Sequence, residues 1–79
     1  MTPIQTTVLG VLAEASDAPS PRLDWELAAF GLDSVRMLEV LMALEDHFDV
    51  VMDESDPRLL QVTTVAELAG FVQVRVEEG

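Results

Sequence analysis

The residues best suited to chemistry in this chain are a lone histidine, His47, and a serine, Ser34, that follows an aspartate, Asp33. If one helix carries both, His47 lies about 20 Å from Ser34 at 1.5 Å per residue, so they cannot pair as base and nucleophile. The absence of cysteine excludes disulfides, thiolate metal ligands and cysteine nucleophiles. A single histidine near a helix C-terminus is more often a partner of the helix dipole. We therefore expect a protein that is not itself an enzyme.

The acidic run from Asp49 to Asp56 invites a comparison with a calcium loop. It lacks the alternating acids, the glycine and the distal glutamate of an EF-hand, which leaves open only weak, non-specific binding of divalent ions. The chain also has no glycine-rich phosphate loop and no basic patch with aromatic residues. We predict no specific metal site.

Ser34 admits two interpretations. It can share the capping of a helix with Asp33, since both residue types are common N-caps. Alternatively, its hydroxyl can anchor a phosphodiester, because the free amides and the dipole at a helix N-terminus favour an anion. An oxygen at this position would point outward, toward an incoming partner.

Charge is the most unusual property of the composition. Fifteen acidic residues face four basic ones, all arginine, and the net charge is -11. Such a surface repels nucleic acid and anionic membranes, so neither is expected as a partner. Hydrophobic residues make up 49% of the chain, which excludes a disordered acidic tail.

The 79 residues are enough for one small domain, residues 1–79, with a modest core. No apolar run approaches the ~18 residues of a membrane span, and no secretory signal opens the chain. We expect a cytoplasmic monomer.

Apolar periodicity and capping residues predict an all-α, four-helix bundle. The predicted helices cover about Pro3–Ala15, Ser34–Phe48, Arg58–Leu60 and a fourth segment that starts with the capping box Thr64-Val65-Ala66-Glu67 and ends near Arg75. The first begins with a second capping box, Thr2 with Gln5, and the short third helix begins at Asp56-Pro57. In the fourth, the apolar stripe consists of Val65, Leu68, Ala69, Val72 and Val76.

The long loop between the first two helices is predicted to be packed, because apolar residues recur along it. They are Leu23, Trp25, Leu27, Phe30 and Leu32. Asp24 is a candidate cap for a short turn over Trp25–Ala29, which Gly31 would end.

The second helix has one apolar face and one mixed face. At roughly 100° per residue, its core stripe consists of Met37, Val40, Leu41, Leu44 and Phe48, widened by Leu38. Val35, Glu39, Met42 and Asp46 follow a separate line along the helix, here named the outer line, which begins beside Ser34. Two apolar side chains set between acids suggest a contact surface for a partner.

The stretch Phe30-Gly31-Leu32-Asp33-Ser34-Val35, continued by Leu38-Glu39, Met42-Ala43-Leu44-Glu45 and Phe48, resembles the acyl carrier proteins. Val62-Thr63-Thr64-Val65 resembles the start of that family's fourth helix, so the resemblance covers nearly the whole chain. It implies that Ser34 carries 4′-phosphopantetheine, added from coenzyme A by a phosphopantetheinyl transferase, with Asp33 beside it. The arm's thiol would hold acyl groups as thioesters.

The resemblance also implies partners. These are acyltransferases, ketosynthases or other acyl-handling enzymes with basic docking patches, which would contact Asp33, Glu39, Glu45 and Asp46 together with Val35 and Met42.

The chain departs from the commonest pattern of that family at three places. Val35 replaces the usual leucine, Arg36 replaces an acidic or polar residue in the docking region, and Met52-Asp53 replaces isoleucine-proline. The change at Val35 is mild, Arg36 argues against docking to general fatty-acid enzymes, and Met52-Asp53 implies a different entry to the third helix. The absence of lysine favours a discrete carrier of a polyketide or mixed peptide–polyketide pathway. The alternative is a small acidic helical adaptor that binds a basic protein partner without a cofactor.

Overall fold

The computed structural model describes all residues, 1–79, and contains four α-helices. They are α1 (Pro3–Ser16), α2 (Ser34–Phe48), α3 (Pro57–Leu60) and α4 (Val65–Glu78), and a short 3₁₀ helix, Leu27–Phe30, precedes α2. There is no β-strand, only an isolated antiparallel bridge between Glu26 and Thr64. The predicted bundle of three main helices and one short helix is confirmed. None of these helices has both the length and the apolar composition that a membrane crossing requires.

The helix starts follow the predicted local chemistry. Thr2 and Gln5 cap each other at α1, with Gln5 N 3.1 Å from Thr2 Oγ1 and Thr2 N 2.9 Å from Gln5 Oε1. Thr64 and Glu67 form the same reciprocal pair at α4. Asp56 accepts a hydrogen bond from the Arg58 amide at 2.9 Å. These bonds satisfy backbone donors that a helix leaves free in its first turn.

Helix α4 is longer than predicted, because it continues past Arg75 to Glu78. Nothing between these residues breaks a helix, and Arg75 donates from Nε to Val51 O at 3.1 Å and from Nη1 to Glu78 Oε1 at 3.1 Å. The charge of Arg75 therefore stabilises the last turn from within it.

The core is apolar throughout, and no polar residue is buried in it. Its members come mainly from α1, α2 and α4: Val8, Leu9, Val11, Leu12, Phe30, Val40, Leu41, Leu44, Met52, Val65, Leu68, Ala69, Phe71 and Val72. Met37 and Phe48 are partly buried against it. Helix α1 packs against both α2 and α4, and α3 packs against α4.

Two residues assigned to the core by periodicity are in fact exposed. Leu38 is 39% exposed and Val76 is 38% exposed. Leu38 lies on the edge of α2 away from the groove that α2 forms with α1, so no long helix covers it. Val76 lies in the last turn of α4, beyond the reach of the core.

The loop between α1 and α2 is fastened to the start of α4 by three backbone hydrogen bonds. Leu27 N donates to Thr63 O at 2.8 Å, and the amides of Val65 and Ala66 donate to Trp25 O at 3.0 Å and Leu23 O at 2.9 Å. The loop thus supplies acceptors for the first two amides of α4. The predicted packed loop is what the structure contains.

The turn inside this loop differs from the predicted one. It covers Leu27–Phe30 after Glu26, and Asp24 instead lies exposed, 3.5 Å from Arg22 Nε. The turn starts only at Leu27 because the backbone before it is already engaged: Trp25 N donates to Arg22 O, and Leu23 O and Trp25 O accept amides of α4. Gly31 ends it as expected, with φ of 66°, in the left-handed region that glycine adopts without strain.

Arg58 joins α3 to the end of α4. Its guanidinium lies 3.1 Å from Asp56 Oδ2 and 3.3 Å from Glu78 Oε2, and it stands over the Phe71 ring at 5.6 Å. The hydrogen bonds that Arg58 donates to Asp56 and Glu78 raise the pKa of Arg58, and Arg58 in turn lowers the pKa of each carboxyl group.

Candidate functional site

The start of α2 assigns the capping role to one residue of the Asp33-Ser34 pair. Asp33 alone is the N-cap, with its Oδ1 accepting the amide of Arg36 at 2.8 Å. Ser34 is the first residue of the helix and is exposed. Its hydroxyl makes no hydrogen bond to any other group. The oxygen is therefore free to react or to be modified.

Two backbone donors remain open beside this hydroxyl. The amides of Ser34 and Val35 make no hydrogen bond within the protein, whereas those of Arg36 and Met37 are both taken by Asp33. The corresponding first amides of α4 are occupied by the loop carbonyls. Free amides at the positive end of a helix favour an anion such as a phosphate. The first turn of α2 thus combines an exposed hydroxyl with a place for a negative group.

The outer line lies on the exposed face of α2. Val35 is 65% exposed and Met42 is 57% exposed, and Glu39 and Asp46 are also exposed. The helix brings all four to one side, in a line that starts beside Ser34. This mixture of apolar and acidic side chains is complementary to a surface on another protein that has apolar residues surrounded by basic ones.

Glu45 has a different environment from the outer line. It is half-buried, and its Oε2 accepts a hydrogen bond from Met52 N at 3.0 Å. The carboxylate thereby ties α2 to the loop that leads to α3. The sequence did not indicate this bond, because it joins residues that approach only after the chain turns at Asp49.

Two exposed leucines were missed as surface features. Leu38 lies beside the outer line, and Leu60 on α3 is 72% exposed. Periodicity placed Leu38 at the margin of the core stripe, and no local signal distinguishes a covered margin from an open one.

Arg36 and His47 both lie on the α1 side of α2. They line a shallow groove between α1 and α2, and both are exposed. His47 is in the last turn of α2, so the structure keeps it at the opposite end of the helix from Ser34.

Comparisons with known proteins agree with this geometry. Residues 5–72 match the family model described as "Phosphopantetheine attachment site". "Acyl carrier protein 4, chloroplastic" from Arabidopsis thaliana is 34% identical over 67 residues, which are 85% of this chain and 47% of that protein. The chain thus spans about half the length of this curated relative.

The crystal structure of an acyl carrier protein from Thermotoga maritima has the same fold, with a TM-score of 0.73. The superposition covers 92% of this chain and 86% of that one, at 19% sequence identity. At this identity the likeness concerns the fold alone.

Proposed function

This chain belongs to the family of phosphopantetheine attachment domains, and from that premise we propose that it is an acyl carrier protein with its arm on Ser34. The observation that carries the proposal is the free Ser34 hydroxyl at the first turn of α2, beside two unoccupied amides. Members of this family carry a prosthetic group and do not catalyse reactions themselves.

The residues at the start of α2 fit that group. A transferase would join Ser34 Oγ to the phosphorus of coenzyme A on the pantetheine side of its pyrophosphate. The bridging P–O bond of the pyrophosphate would break, releasing adenosine 3′,5′-bisphosphate and the hydroxyl proton. Once attached, 4′-phosphopantetheine supplies a thiol that holds acyl groups as thioesters. Asp33 fixes the first turn by capping it, and the amides of Ser34 and Val35 are available as donors to the phosphate oxygens.

The outer line is the proposed docking surface for the enzymes that modify, load and unload the carrier. Its apolar members, Val35 and Met42, supply contact area, and Glu39 and Asp46 attract basic patches on those enzymes. Asp33, Arg36 and Glu45 border the surface. The absence of lysine supports a polyketide or mixed peptide–polyketide pathway, and Arg36 argues against docking to general fatty-acid enzymes.

The direct test is covalent loading. Purified protein is incubated with coenzyme A and a broad-specificity phosphopantetheinyl transferase, and intact mass is measured. Wild type is expected to gain one arm and Ser34→Ala none, while the control Ser20→Ala, an exposed loop serine, gains one arm like wild type. A wild type that stays unmodified with several transferases contradicts the proposal.

The rival function is an acidic adaptor that binds a basic protein without a cofactor. The exposed apolar residues of the outer line favour it, since they form a contact surface with or without an arm. An adaptor keeps its function in Ser34→Ala, whereas a carrier loses it. Complementation of the native host by Ser34→Ala would therefore select the adaptor.

A further inference from the structure

A groove between α1 and α2 borders the outer line on one side. It is shallow and open, with a volume of about 220 Å³. Val11 and Val40 form part of its apolar floor, and Glu14, Arg36 and Glu39 stand at its rim. At 100° per residue, Arg36 lies about a quarter turn around α2 from Val35, on the side of the helix that lines the groove.

Arg36 is the one arginine without a carboxylate partner. Each of the other three lies within 4.0 Å of an acidic oxygen: Arg22 with Asp24 at 3.5 Å, Arg58 with Asp56 at 3.1 Å and Arg75 with Glu78 at 3.1 Å. Arg36 forms no such pair, although Glu39 follows it by one helical turn and Glu14 lines the same groove. Its guanidinium therefore keeps all its donors for a group outside the chain.

We propose that Arg36 and the α1–α2 groove form a second part of the docking surface, which receives an acidic side chain of the acyltransferase that loads this carrier. This inference rests on the proposed carrier function. A guanidinium is suited to a carboxylate, which it binds through two parallel hydrogen bonds. The apolar floor of the groove gives the flanking residues of the partner a surface to cover.

The charge pattern argues for a partner with charges of both signs. Glu39 and Asp46 attract cations, but Arg36 repels an evenly basic patch that extends over it. A partner with a carboxylate opposite Arg36 and cations opposite the outer line would pair with the arginine and with the acidic residues at once. Arg36 thereby discriminates among acyl-handling enzymes, since a like charge placed opposite it opposes binding.

The test compares two charge reversals with the same net charge, Arg36→Glu and Arg22→Glu. Arg22 is exposed on the loop between α1 and α2, and its partner Asp24 is exposed as well. The holo forms are assayed with an acyltransferase of the native host that loads wild type. Arg36→Glu is expected to raise the KM for the carrier about tenfold, equivalent to about 1.4 kcal/mol, with kcat little changed. Arg22→Glu is expected to change KM less than twofold.

Further measurements separate the alternatives. Circular dichroism and the Tm establish that both variants are folded. Arg36→Lys keeps the positive charge but not the paired donors, so its KM is expected to lie between those of wild type and Arg36→Glu. Equal KM values for Arg36→Glu and Arg22→Glu overturn this inference while leaving the carrier function intact. A rise confined to the KM for coenzyme A in arm addition also overturns it, because Arg36 would then contact the coenzyme's phosphate. A wild type that gains no arm overturns both the proposed function and this inference.

Discussion

Glu67 is the acidic side chain whose charge is most strongly stabilised by its neighbours. Its Oε1 accepts hydrogen bonds from Thr63 Oγ1 at 2.7 Å, Thr63 N at 2.9 Å and Thr64 N at 3.0 Å. These bonds, with the Thr63 side chain contributing most, lower the pKa of Glu67 from 4.5 to about 2. One carboxylate thus holds the residues before α4 in the conformation that starts the helix.

The first prediction is a pH dependence centred on Glu67. Because folding lowers its pKa, its contribution to stability is fully present above pH 4.5 and is lost as the pH falls toward about 2. The free energy of unfolding of Glu67→Gln should therefore lie below that of wild type at pH 6 and approach it near pH 2. Urea titrations at several pH values measure this difference.

The control is Glu54→Gln, because Glu54 is exposed and none of the hydrogen bonds of the structure reaches its side chain. The free energy of unfolding of Glu54→Gln should stay close to that of wild type at every pH in the titration. If the free energy of unfolding of Glu67→Gln differed from that of wild type by the same amount at every pH, Glu67 would not be the source of the pH dependence.

The second prediction concerns Glu39 in the outer line. Glu39→Lys should slow acyl transfer at low ionic strength and leave the Tm nearly unchanged, since exposed charges steer association more than they stabilise a fold. The matched control is Glu77→Lys on α4, which is equally a charge reversal at an exposed glutamate. The measurement is the rate of transfer as a function of salt. Identical rates for both variants would remove Glu39 from the docking surface.

At this scale the sequence predicts what depends on immediate neighbours. Asp33 as a cap and the exposure of Val35 and Met42 follow from residue type and helical spacing. The bond from Met52 N to Glu45 and the unpaired state of Arg36 do not, because each depends on which parts of the chain approach α2 after folding.

The α1–α2 loop is the element on which the start of α4 depends. Trp25 packs against Phe30 with ring centroids 5.4 Å apart, and its carbonyl accepts the amide of Val65. The tryptophan ring therefore holds a segment whose backbone completes another helix. Loss of the ring weakens both contacts at once.

The third prediction is the effect of shortening that side chain. Trp25→Ala should lower the free energy of unfolding by about 2–3 kcal/mol, somewhat less than for a fully buried tryptophan because Trp25 is only half-buried. Trp25→Phe, which retains a ring against Phe30, should lower it less. Urea unfolding followed by circular dichroism measures both. Equal stability of Trp25→Ala and wild type would show that the loop contributes no packing.

Helix starts were predictable because a cap is a local structure. Spacing alone identifies the two capping boxes, Thr2 with Gln5 and Thr64 with Glu67. The start of the 3₁₀ helix was predicted too early, since it depends on preceding residues whose carbonyls accept the amides of Val65 and Ala66 in a distant helix.

For the whole molecule, charge is the dominant feature. The net charge of -11 is spread over a body with extents of 32 × 26 × 21 Å. Many of these charges lie closer together than about two Debye lengths at 0.1 M salt, roughly 20 Å, so they repel one another. The ion pairs of Arg58 and Arg75 are exposed or half-exposed and offset little of this repulsion.

The fourth prediction follows from that repulsion. The Tm should rise when sodium chloride increases from about 0.02 M to about 0.3 M, because salt screens like charges in the folded state. Potassium chloride at equal ionic strength should act alike, which separates screening from binding of a particular ion. A Tm that stays flat or falls would contradict this account.

The architecture as a whole was predictable from periodicity, but the membership of the core was not fully so. Phe71 is buried without belonging to the predicted stripe of α4, and Leu38 is exposed although it belongs to the predicted stripe of α2. Helical spacing defines a face, while the crossing of α1 over α2 and α4 decides how wide the covered part of that face is.

The Glu45 carboxylate that accepts the Met52 amide would also have to serve any basic group of a partner that binds it. Met52 is buried. A cation that pulls Glu45 away therefore leaves the Met52 amide without an acceptor, at a cost of about 1–3 kcal/mol. An enzyme that recruits Glu45 must recover that loss from other contacts or let the segment before α3 rearrange. Recognition through this glutamate is consequently coupled to the shape of the neighbouring loop, whereas recognition through Glu39 or Asp46 leaves that loop undisturbed.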